Sequence, residues 1–287
     1  MNNKNELYII NTITPLHVGS GSSNVGIVDN LVQRDAITNY PIINGSSIKG
    51  AVREYFNWII KNEENHKNKG EKFINYIFGQ AAEISENGGE SYGHYKFFQS
   101  NLIAFPVRCT VKAYMMAICE ESITEVINNA EIFNINNKLI KELKELVKVI
   151  KASKINEGEA QLLSSELSND GAYAEDLLIK NDFYKKNKMN LETIKEYLGK
   201  DLVLLSNKEF KDLLEDLPVI ARNKLSNGKS DNLWYEEVVP REAKFFTLVV
   251  KEDTTEERMA EFDEIFTAKP IQIGANGSIG YGFCKIS

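Results

Sequence analysis

The sequence predicts an α+β fold, because its strongest elements run in the order strand, helix, strand, strand, helix, strand. This is the order of elements in a ferredoxin-like domain. The 287 residues amount to about twice the ~150 of a typical domain, and no internal repeat is visible. The last strand pair is needed to complete the first sheet. We therefore expect one elaborated domain over residues 1–287, with long insertions between the core elements.

The first strand is predicted at Leu7–Thr14, where β-branched and apolar residues dominate until Pro15 ends the run. The segment from Pro15 to Asn44 is rich in glycine and serine and shows no sustained periodicity. Irregular segments of this length inside a compact domain are usually functional. We therefore expect part of the functional site in this loop.

A helix is expected next, with Ser46 or Ser47 as its N-cap and with an end near Lys61. Lys49 and Arg53 lie four residues apart, and this spacing stacks two cations on adjacent turns. They sit near the positive end of the helix dipole and add to its attraction for an anion. The apolar face is formed by residues at helical spacing: Ile48, Ala51, Val52, Tyr55, Phe56 and Ile59.

The remaining elements are predicted from local patterns, and the strongest turn signal is Asn227-Gly228. In order, they are a short helix at Glu71–Phe78, a loop at Gln80–Gly93, strands at Tyr95–Phe105 and Val111–Cys119, a helix at Glu121–Ser153, a poorly periodic stretch at Lys154–Leu217, hairpin arms at Val219–Leu225 and Leu233–Val239, a strand at Lys244–Lys251, a helix at Thr255–Phe266, and a glycine-rich ending at Pro270–Ile286 with two short strands.

Composition excludes several classes of protein. With 43% hydrophobic and 26% charged residues, the chain is not collagenous, disordered or a disulfide scaffold. No stretch approaches the roughly 18 apolar residues that span a bilayer, and the start lacks a basic flank followed by an apolar run. We therefore expect a cytoplasmic protein with no membrane contact. The three cysteines lack the spacing of a zinc site or a disulfide framework: Cys109, Cys119 and Cys284.

The charge balance argues against a typical nucleic-acid binder, which is basic. The chain has 34 Lys and Arg against 41 Asp and Glu, a net charge of −7. The acidity is uneven, because cations roughly balance anions up to Gly79 and carboxylates concentrate after it. A local basic surface is therefore compatible with the acidic total.

Two glycine-containing segments superficially resemble nucleotide-binding motifs. The series from Gly274 through Gly277 to Gly282 is not a dinucleotide loop, because only five residues follow it and no helix can form there. It is either a tight turn between strands or an anion nest of main-chain N–H groups. The segment Gly45–Gly50 lacks the spacing of a P-loop, so nucleotide hydrolysis is not expected.

His17 and Asp29 are the candidate catalytic residues in the glycine-rich loop. A lone histidine is more often structural, but His17 could transfer a proton. Asp29 is the only acid between Glu6 and Asp35 and has no cation nearby in the sequence. Its carboxylate either caps a turn, holds a hard divalent cation or orients a reacting hydroxyl.

The hairpin arms interleave cations, aromatic rings and carboxylates, notably Arg222, Trp234, Tyr235 and Glu236. Alternating strand residues can simply pack one face against the core. On an exposed hairpin, the aromatic residues would instead stack on bases, at about 1–3 kcal/mol each. The sequence alone leaves both interpretations open.

Taken together, these segments resemble RAMP proteins of CRISPR systems, and more narrowly the backbone subunit of the type III-B Cmr effector complex. The matching pieces run in order along the chain: Pro15-Leu-His17-Val-Gly19-Ser-Gly21, Gly26-Ile-Val-Asp29, Gln33-Arg34, Pro41 to Arg53, Ala104-Phe-Pro-Val-Arg108, Leu217 to Asn223, Leu233 to Glu237 and Gln272 to Gly282. The Val-Asp-x-x-x-Gln-Arg piece is the most specific.

The resemblance implies an RRM-like palm built from about residues 1–61, 94–119 and 244–287. It also implies a helical insertion and a protruding β-hairpin thumb within about 62–93 and 120–243. Implied partners are guide CRISPR RNA, single-stranded target RNA, copies of the chain in a helical filament and other Cmr subunits. The residues implied to bind RNA are Ser46, Ser47, Lys49, Arg53, Arg34, Arg222, Trp234, Tyr235, Glu236, Gly274 and Gly277.

The resemblance also implies a metal-dependent endoribonuclease that cuts target RNA once per subunit at regular intervals. Asp29 aligns with the family's loop aspartate and would hold magnesium or manganese, while His17 would assist. Two alternatives remain. One is a non-catalytic RNA-binding scaffold with the same fold, and the other is a stand-alone RAMP endonuclease that processes the guide precursor.

Overall fold

The computed structural model describes residues 2–22, 27–64, 66, 70–80, 91–153, 155–163, 171–253 and 255–287. Within these ranges the chain forms eight α-helices and eighteen β-strands, so the predicted α+β class is confirmed. Most of the loop predicted at Gln80–Gly93 lies outside the described residues, as does Gly26. The helices are α1 (Gly45–Asn62), α2 (Gly70–Phe78), α3 (Glu120–Ile132), α4 (Lys138–Lys151), α5 (Asp182–Asn187), α6 (Glu192–Leu198), α7 (Asn207–Glu215) and α8 (Glu256–Ala268).

The strands vary from two to eleven residues in length. They are β1 (Asn2–Thr12), β2 (Gly19–Ser22), β3 (Asn30–Val32), β4 (Ile42–Ile43), β5 (Gly79–Gln80), β6 (Ser91–Tyr92), β7 (Tyr95–Phe97), β8 (Ser100–Arg108), β9 (Tyr114–Ile118), β10 (Glu159–Leu162), β11 (Tyr173–Ala174), β12 (Leu177–Lys180), β13 (Leu202–Leu204), β14 (Val219–Ser226), β15 (Lys229–Glu237), β16 (Lys244–Asp253), β17 (Ile271–Gln272) and β18 (Phe283–Ile286).

The main sheet has the strand order β11-β12-β10-β13-β9-β8-β16-β1-β18-β17. Strands β8, β16, β1 and β18 are antiparallel neighbours towards its β17 end, and β1 pairs with β16 with Leu7 opposite Leu248. The strand predicted at Val111–Cys119 corresponds to β9, which pairs with β8 on the side away from β16. Strand β16 lies between β8 and β1, and it pairs with β1 over almost the whole length of that strand.

Alternation along the central strands gives the sheet two buried faces. Ile10 of β1 and Phe245 of β16 belong to a hydrophobic cluster that includes residues of α1, α2 and α8. Ile9 and Phe246, the next residues on each strand, belong to a second cluster with residues of α3, α4 and α6. The predicted apolar face of α1 is confirmed by its buried side chains: Ile48, Val52, Phe56, Ile59 and Ile60.

A second sheet, with the order β14-β15-β3-β2, joins the glycine-rich loop to the hairpin. The prediction of an irregular segment over 15–44 was therefore partly wrong, since it contains three strands of two to four residues. These are too short to produce a periodic pattern. The hairpin arms extend to Ser226 and Lys229, so Asn227 and Gly228 form a two-residue turn with φ of 50° and 78°.

The helix predicted at Glu121–Ser153 is two helices, α3 and α4. Asn134 adopts a left-handed φ of 56° after α3 ends, and the Asn137 side chain caps α4 by accepting a hydrogen bond from the Ile140 N–H. Asparagine tolerates both positions, which explains the break. The stretch at 154–217, where periodicity was poor, contains four short strands and α5, α6 and α7.

Candidate functional site

Asp29 lies immediately before β3 and is bonded to the hairpin strand β15 at two points. Its N–H donates to the Tyr235 carbonyl oxygen (3.1 Å), and the Tyr235 N–H donates to Asp29 Oδ2 (2.8 Å). Asn30 then pairs with Glu236 as the parallel bridge between β3 and β15. The Asp29 side chain is exposed, and Oδ1 accepts no hydrogen bond from the described parts of the chain. The carboxylate is thus held through one oxygen.

His17 is buried, with 5% of its surface exposed, where the first loop meets the end of β15. Leu16 before it exchanges main-chain hydrogen bonds with Val239. His17 Nδ1 lies 2.7 Å from the carbonyl oxygen of Glu237, which can only accept a hydrogen bond. Nδ1 therefore carries a proton, and Nε2 is the ring nitrogen left for a proton transfer. Gly19 lies beside Nε2.

Glu236 brings together several residues that the sequence predicts to bind RNA. Its Oε1 accepts from Trp234 Nε1 (2.9 Å), and its Oε2 accepts from Asn276 Nδ2 (3.0 Å) and forms an ion pair with Arg222. Burial alone would raise the pKa of Glu236, but the Trp234 hydrogen bond and the charges of Arg222 and His17 lower it. Glu236 therefore stays ionised and fixes the Trp234 side chain.

Arg222 occupies the centre of this cluster. Its guanidinium carbon lies 4.7 Å from the centroid of the Tyr281 ring, and 15% of its side chain is exposed. The charge of Arg222 is already balanced by Glu236. Arg222 therefore helps to hold the base of the hairpin through Glu236 and Tyr281. A direct contact between Arg222 and phosphate stays a prediction.

Arg34, also predicted to bind RNA, makes its hydrogen bonds to the protein. Nη2 pairs with Glu237 Oε1 (2.6 Å), and Nη1 donates to the carbonyls of Leu214 (2.8 Å) and Asn39 (2.9 Å). The second oxygen of Glu237 accepts the N–H of Val32 (3.0 Å). Glu237 therefore joins the hairpin to the loop that carries Asp29, and any contact of Arg34 with RNA stays a prediction.

The residues of α1 that are predicted to contact phosphate form a surface that we name the α1 surface: Ser46, Ser47, Lys49 and Arg53. The helix begins at Gly45 with Asn44 as its N-cap, so Ser46 and Ser47 lie in the first turn, and their prediction as the cap was wrong. The first turn contains no acid, and Lys49 and Arg53 have no ion-pair partner within the ranges that the structure describes. The start of α1 therefore keeps its attraction for an anion.

Gln33 connects the α1 surface to the glycine-rich loop. Its Nε2 donates to the Gly19 carbonyl (3.2 Å), and its Oε1 accepts from the N–H of Asn44 (2.9 Å). The side chain thus bridges the segment beside His17 and the N-cap of α1. Gln33 belongs to the Val-Asp-x-x-x-Gln-Arg piece that carries the resemblance, but no local pattern in that piece predicts this bridge.

Among the C-terminal glycines, Gly274 packs against His17. Gly274 has a φ of 82°, and a Cβ there would overlap the main-chain oxygen of His17, which accepts the N–H of Ala275 at 2.9 Å. Only glycine fits this backbone conformation and close approach. Gly277 begins a single 3₁₀ turn. The structure accounts for Gly274 as a turn residue, and RNA contacts of both glycines stay predictions.

Residues 9–285 match the family model of the RAMP superfamily. The chain belongs to the RAMP superfamily. It is 26% identical, over 96% of its own length and 92% of the relative's, to the "CRISPR system Cmr endoribonuclease Cmr4" of Pyrococcus furiosus. The resemblance to the Cmr backbone subunit is thereby confirmed.

Two solved structures share the fold of this RAMP protein. One is a type III-B Cmr-beta complex bound to cognate target RNA, with a TM-score of 0.73 and 23% identity over 99% of this chain and 96% of the other. The second is oligomeric Cmr4 from Pyrococcus furiosus, with a TM-score of 0.65 and 21% identity over 98% and 96% of the two chains.

Two absences apply to the described parts of this RAMP protein. No group of three or more His, Cys, Asp or Glu side chains there could hold a metal ion. None of the helices there is long and apolar enough to cross a membrane. A metal at Asp29 would therefore need most of its ligands from RNA or water.

Sequence reasoning missed Glu237 and Asn276 as residues that organise the site. Both hold their partners through contacts more than 30 residues away in sequence. A buried glutamate on a hairpin has the same local pattern as a solvated one, so no signal in the sequence distinguishes them.

Proposed function

We propose that this chain is a guide-RNA-binding backbone subunit of a type III-B CRISPR effector complex and that it cleaves complementary target RNA. The observation that carries the proposal is the exposed Asp29 carboxylate at the base of the hairpin, whose Oδ1 accepts no hydrogen bond from the described residues. The name of the Pyrococcus furiosus relative and the target RNA of the similar Cmr-beta complex support it. Oligomeric Cmr4 supports a filament of copies, alongside other Cmr subunits.

In this proposal β8, β16, β1 and β18, with α1 and α8, form an RRM-like, ferredoxin-like palm from about 1–61, 94–119 and 244–287. The insertions are about 62–93 and 120–243, and the second of them carries the β14–β15 hairpin as a thumb. Residues 223–233 of the hairpin are exposed. An exposed hairpin of this kind is suited to wedge between bases of a guide–target duplex.

The guide strand would run along the start of α1. Ser46, Ser47 and the first-turn N–H groups would receive a phosphate, and Lys49 and Arg53 would neutralise its neighbours. At the hairpin, Trp234 is fixed by its hydrogen bond to Glu236, and 36% of the Tyr235 surface is exposed. Both rings would stack on bases displaced by the hairpin.

Cleavage would follow from geometry imposed on the target strand. A displaced base brings the ribose 2′-OH in line with the next phosphorus. As the 2′ oxygen bonds to phosphorus, the bond to the 5′ oxygen breaks. His17 Nε2 would accept the 2′ proton, and the leaving oxygen would take a proton from solvent. The products are a 2′,3′-cyclic phosphate and a 5′-hydroxyl.

We also propose that the reaction depends on magnesium or manganese. Magnesium at phosphate sites is typically held by one or two carboxylates, with phosphate and water oxygens completing the set. Asp29 Oδ1 is a hard ligand that meets this minimum. When bound, the ion would lower the pKa of the reacting hydroxyl and balance charge on the phosphate.

A second candidate function is a non-catalytic RNA-binding scaffold. It is favoured by the hydrogen bond from Tyr235 to Asp29, because this bond gives the carboxylate a structural use that the sequence did not suggest. Under this proposal, Asp29 would tie the hairpin to the loop and the chain would position RNA without cutting it.

The experiment that tests the proposed function is isolation of the assembled complex from its host. We expect co-purifying guide RNA of regularly stepped length and cleavage of an end-labelled complementary RNA at regular intervals. Omitting the divalent metal or adding a chelator tests the metal separately. Binding without any cleavage would favour the scaffold, and absence of RNA would contradict both functions.

A further inference from the structure

A cavity on the opposite side of the main sheet from α1 has no role in the function proposed above. Its volume is about 370 Å³, and its lining residues lie at the beginnings of β9 and β16 and just before β13. Met116 in its wall belongs to the hydrophobic cluster of α3, α4 and α6, and Tyr114 packs against that cluster. The cavity is therefore separate from the α1 surface.

Cations exceed carboxylates in this cavity, which we name the basic cavity. Lys112, Lys200 and Lys244 line it together with Asp201 and Glu242. Arg241 lies beside Tyr114, with its guanidinium carbon 5.9 Å from the centroid of that ring, and Nη1 lies 4.0 Å from Glu242 Oε1. Three cations thus line the cavity against two carboxylates, although the chain as a whole is acidic.

The three lysines differ in their partners. Lys112 is paired with Asp201. Lys244 is 7% exposed, and its Nζ donates to Asn11 Oδ1 (2.6 Å) and Glu242 Oε2 (3.4 Å). An ammonium has three donors, so one donor of Lys244 is unassigned among its described neighbours. Lys200 is exposed and has no ion pair with any residue that the structure describes.

Two further observations indicate a functional site at the basic cavity. Burial lowers the pKa of Lys244 even though Glu242 raises it, so an added anion would stabilise the charged amine. Glu242 itself is held at a φ of 72°, with its N–H donating to the Thr12 carbonyl at 2.6 Å. Left-handed backbone is costly for glutamate and clusters at functional sites.

We propose that the basic cavity binds a phosphate group of RNA. This inference rests on the proposed function and adds a second contact with the RNA backbone, besides the one at α1. The chain runs from Tyr235 through the end of β15 at Glu237 to Arg241, and six residues span at most about 20 Å. An RNA strand that stacks on Tyr235 therefore reaches the cavity within a few nucleotides. The ammonium group of lysine is a compact charge, and it binds phosphate without the fixed planar geometry that arginine requires.

The test compares the full-length chain with its Lys200→Gln variant in binding a labelled, unstructured single-stranded RNA over a salt series. Lys200 is the cleanest position because its removal leaves no described carboxylate unpaired. We expect weaker binding at low salt and a log–log salt slope flatter by about 0.7, the value for one phosphate contact. Lys148→Gln is the matched control, because Lys148 is exposed on α4 and does not line the cavity.

A second measurement separates RNA from a protein partner. Acylation of Lys200 by an amine-reactive reagent should slow when RNA is added, whereas acylation of Lys148 should not. Protection of Lys200 by higher protein concentration without RNA would instead assign the cavity to an acidic side chain of a second copy and overturn the proposal.

The double variant Lys49→Ala/Arg53→Ala in the same salt series distinguishes failure of the cavity proposal from failure of the proposed function. If this variant flattens the slope and Lys200→Gln does not, the cavity proposal is wrong and the proposed function stands. If the unaltered chain shows no salt-dependent RNA binding, both fall. An equal effect of Lys200→Gln and Lys148→Gln would also overturn the cavity proposal, because only net charge would then matter.

Discussion

The imidazole of His17 and the main-chain oxygen of Glu237 are joined by a 2.7 Å contact that fixes the histidine tautomer. Because a carbonyl cannot donate, Nδ1 carries a proton, which leaves Nε2 as the nitrogen for a proton transfer. Strand β15 therefore supplies both the hydrogen bond to Asp29, through Tyr235, and the orientation of His17, through Glu237. Movement of the hairpin base would disturb both candidate catalytic groups together.

His17→Asn and His17→Ala separate proton transfer from loop shaping. Asparagine places an N–H donor near the position of Nδ1, so it can keep the bond to Glu237 while removing Nε2. If His17 transfers the proton, His17→Asn should slow cleavage by about 10²–10⁴-fold with RNA binding unchanged. The measurement is single-turnover cleavage by the assembled complex, with thermal unfolding as the control.

If His17 only shapes the loop, His17→Asn should cleave at nearly the normal rate. His17→Ala should then lose about 1–3 kcal/mol of stability, because the buried Glu237 carbonyl loses its partner.

Replacing Lys49 and Arg53 with Ala should weaken guide-RNA binding without unfolding the chain. Neither cation has an ion-pair partner in the described ranges, so their removal leaves no described acid uncompensated. Two lost phosphate contacts should flatten the log–log salt slope by about 1.4 per protomer. The control is Lys141→Ala/Lys148→Ala, two exposed lysines of α4. An unchanged slope in the test variant would remove α1 from the RNA surface.

Deleting Lys224–Asp231 should leave the fold intact and reduce cleavage. Every residue of this segment is exposed, and its ion pair between Lys224 and Asp231 is a surface contact worth little. Without the hairpin tip, the target base is not displaced and its 2′-OH is not brought in line. End-labelled target RNA reports the result, and cutting at the same positions and rate would contradict the wedge.

Glu236→Gln should destabilise the hairpin base, because Arg222 loses the only carboxylate paired with it among the described residues. We expect a loss of about 1–3 kcal/mol in the free energy of unfolding. Since the pKa of Glu236 is lowered by folding, its contribution is present above the ordinary pKa of about 4.3 and lost as pH falls through the lower folded value. Denaturant unfolding should therefore show that the two chains converge in acid. A constant difference at all pH values would contradict the assigned charge.

The sequence predicted the elements whose signals are local and missed the contacts that join distant segments. The apolar face of α1 and the Asn227-Gly228 turn follow from helical spacing and turn chemistry within a few residues. The pairing of Asn30 with Glu236 brings together positions about 200 residues apart, and β3 has only three residues to indicate it. Arg34 illustrates the same limit, because a cation in a loop gives no local sign that its partner is Glu237.

Asp29→Asn and Asp29→Ala test the catalytic site most sharply. Asparagine keeps an oxygen that can accept the Tyr235 N–H, so the hairpin base should stay intact while the negative charge is lost. We expect normal assembly and target binding with cleavage reduced by at least about 10²-fold at every regular position, in magnesium or manganese. Alanine also removes the hydrogen bond, so Asp29→Ala should in addition lower the melting temperature. If Asp29→Asn cleaves fully, the carboxylate serves only to tie the loop to Tyr235 and the scaffold function is correct. If Asp29→Asn loses target binding together with cleavage, the charge acts through structure, because the chemical step would then never be reached.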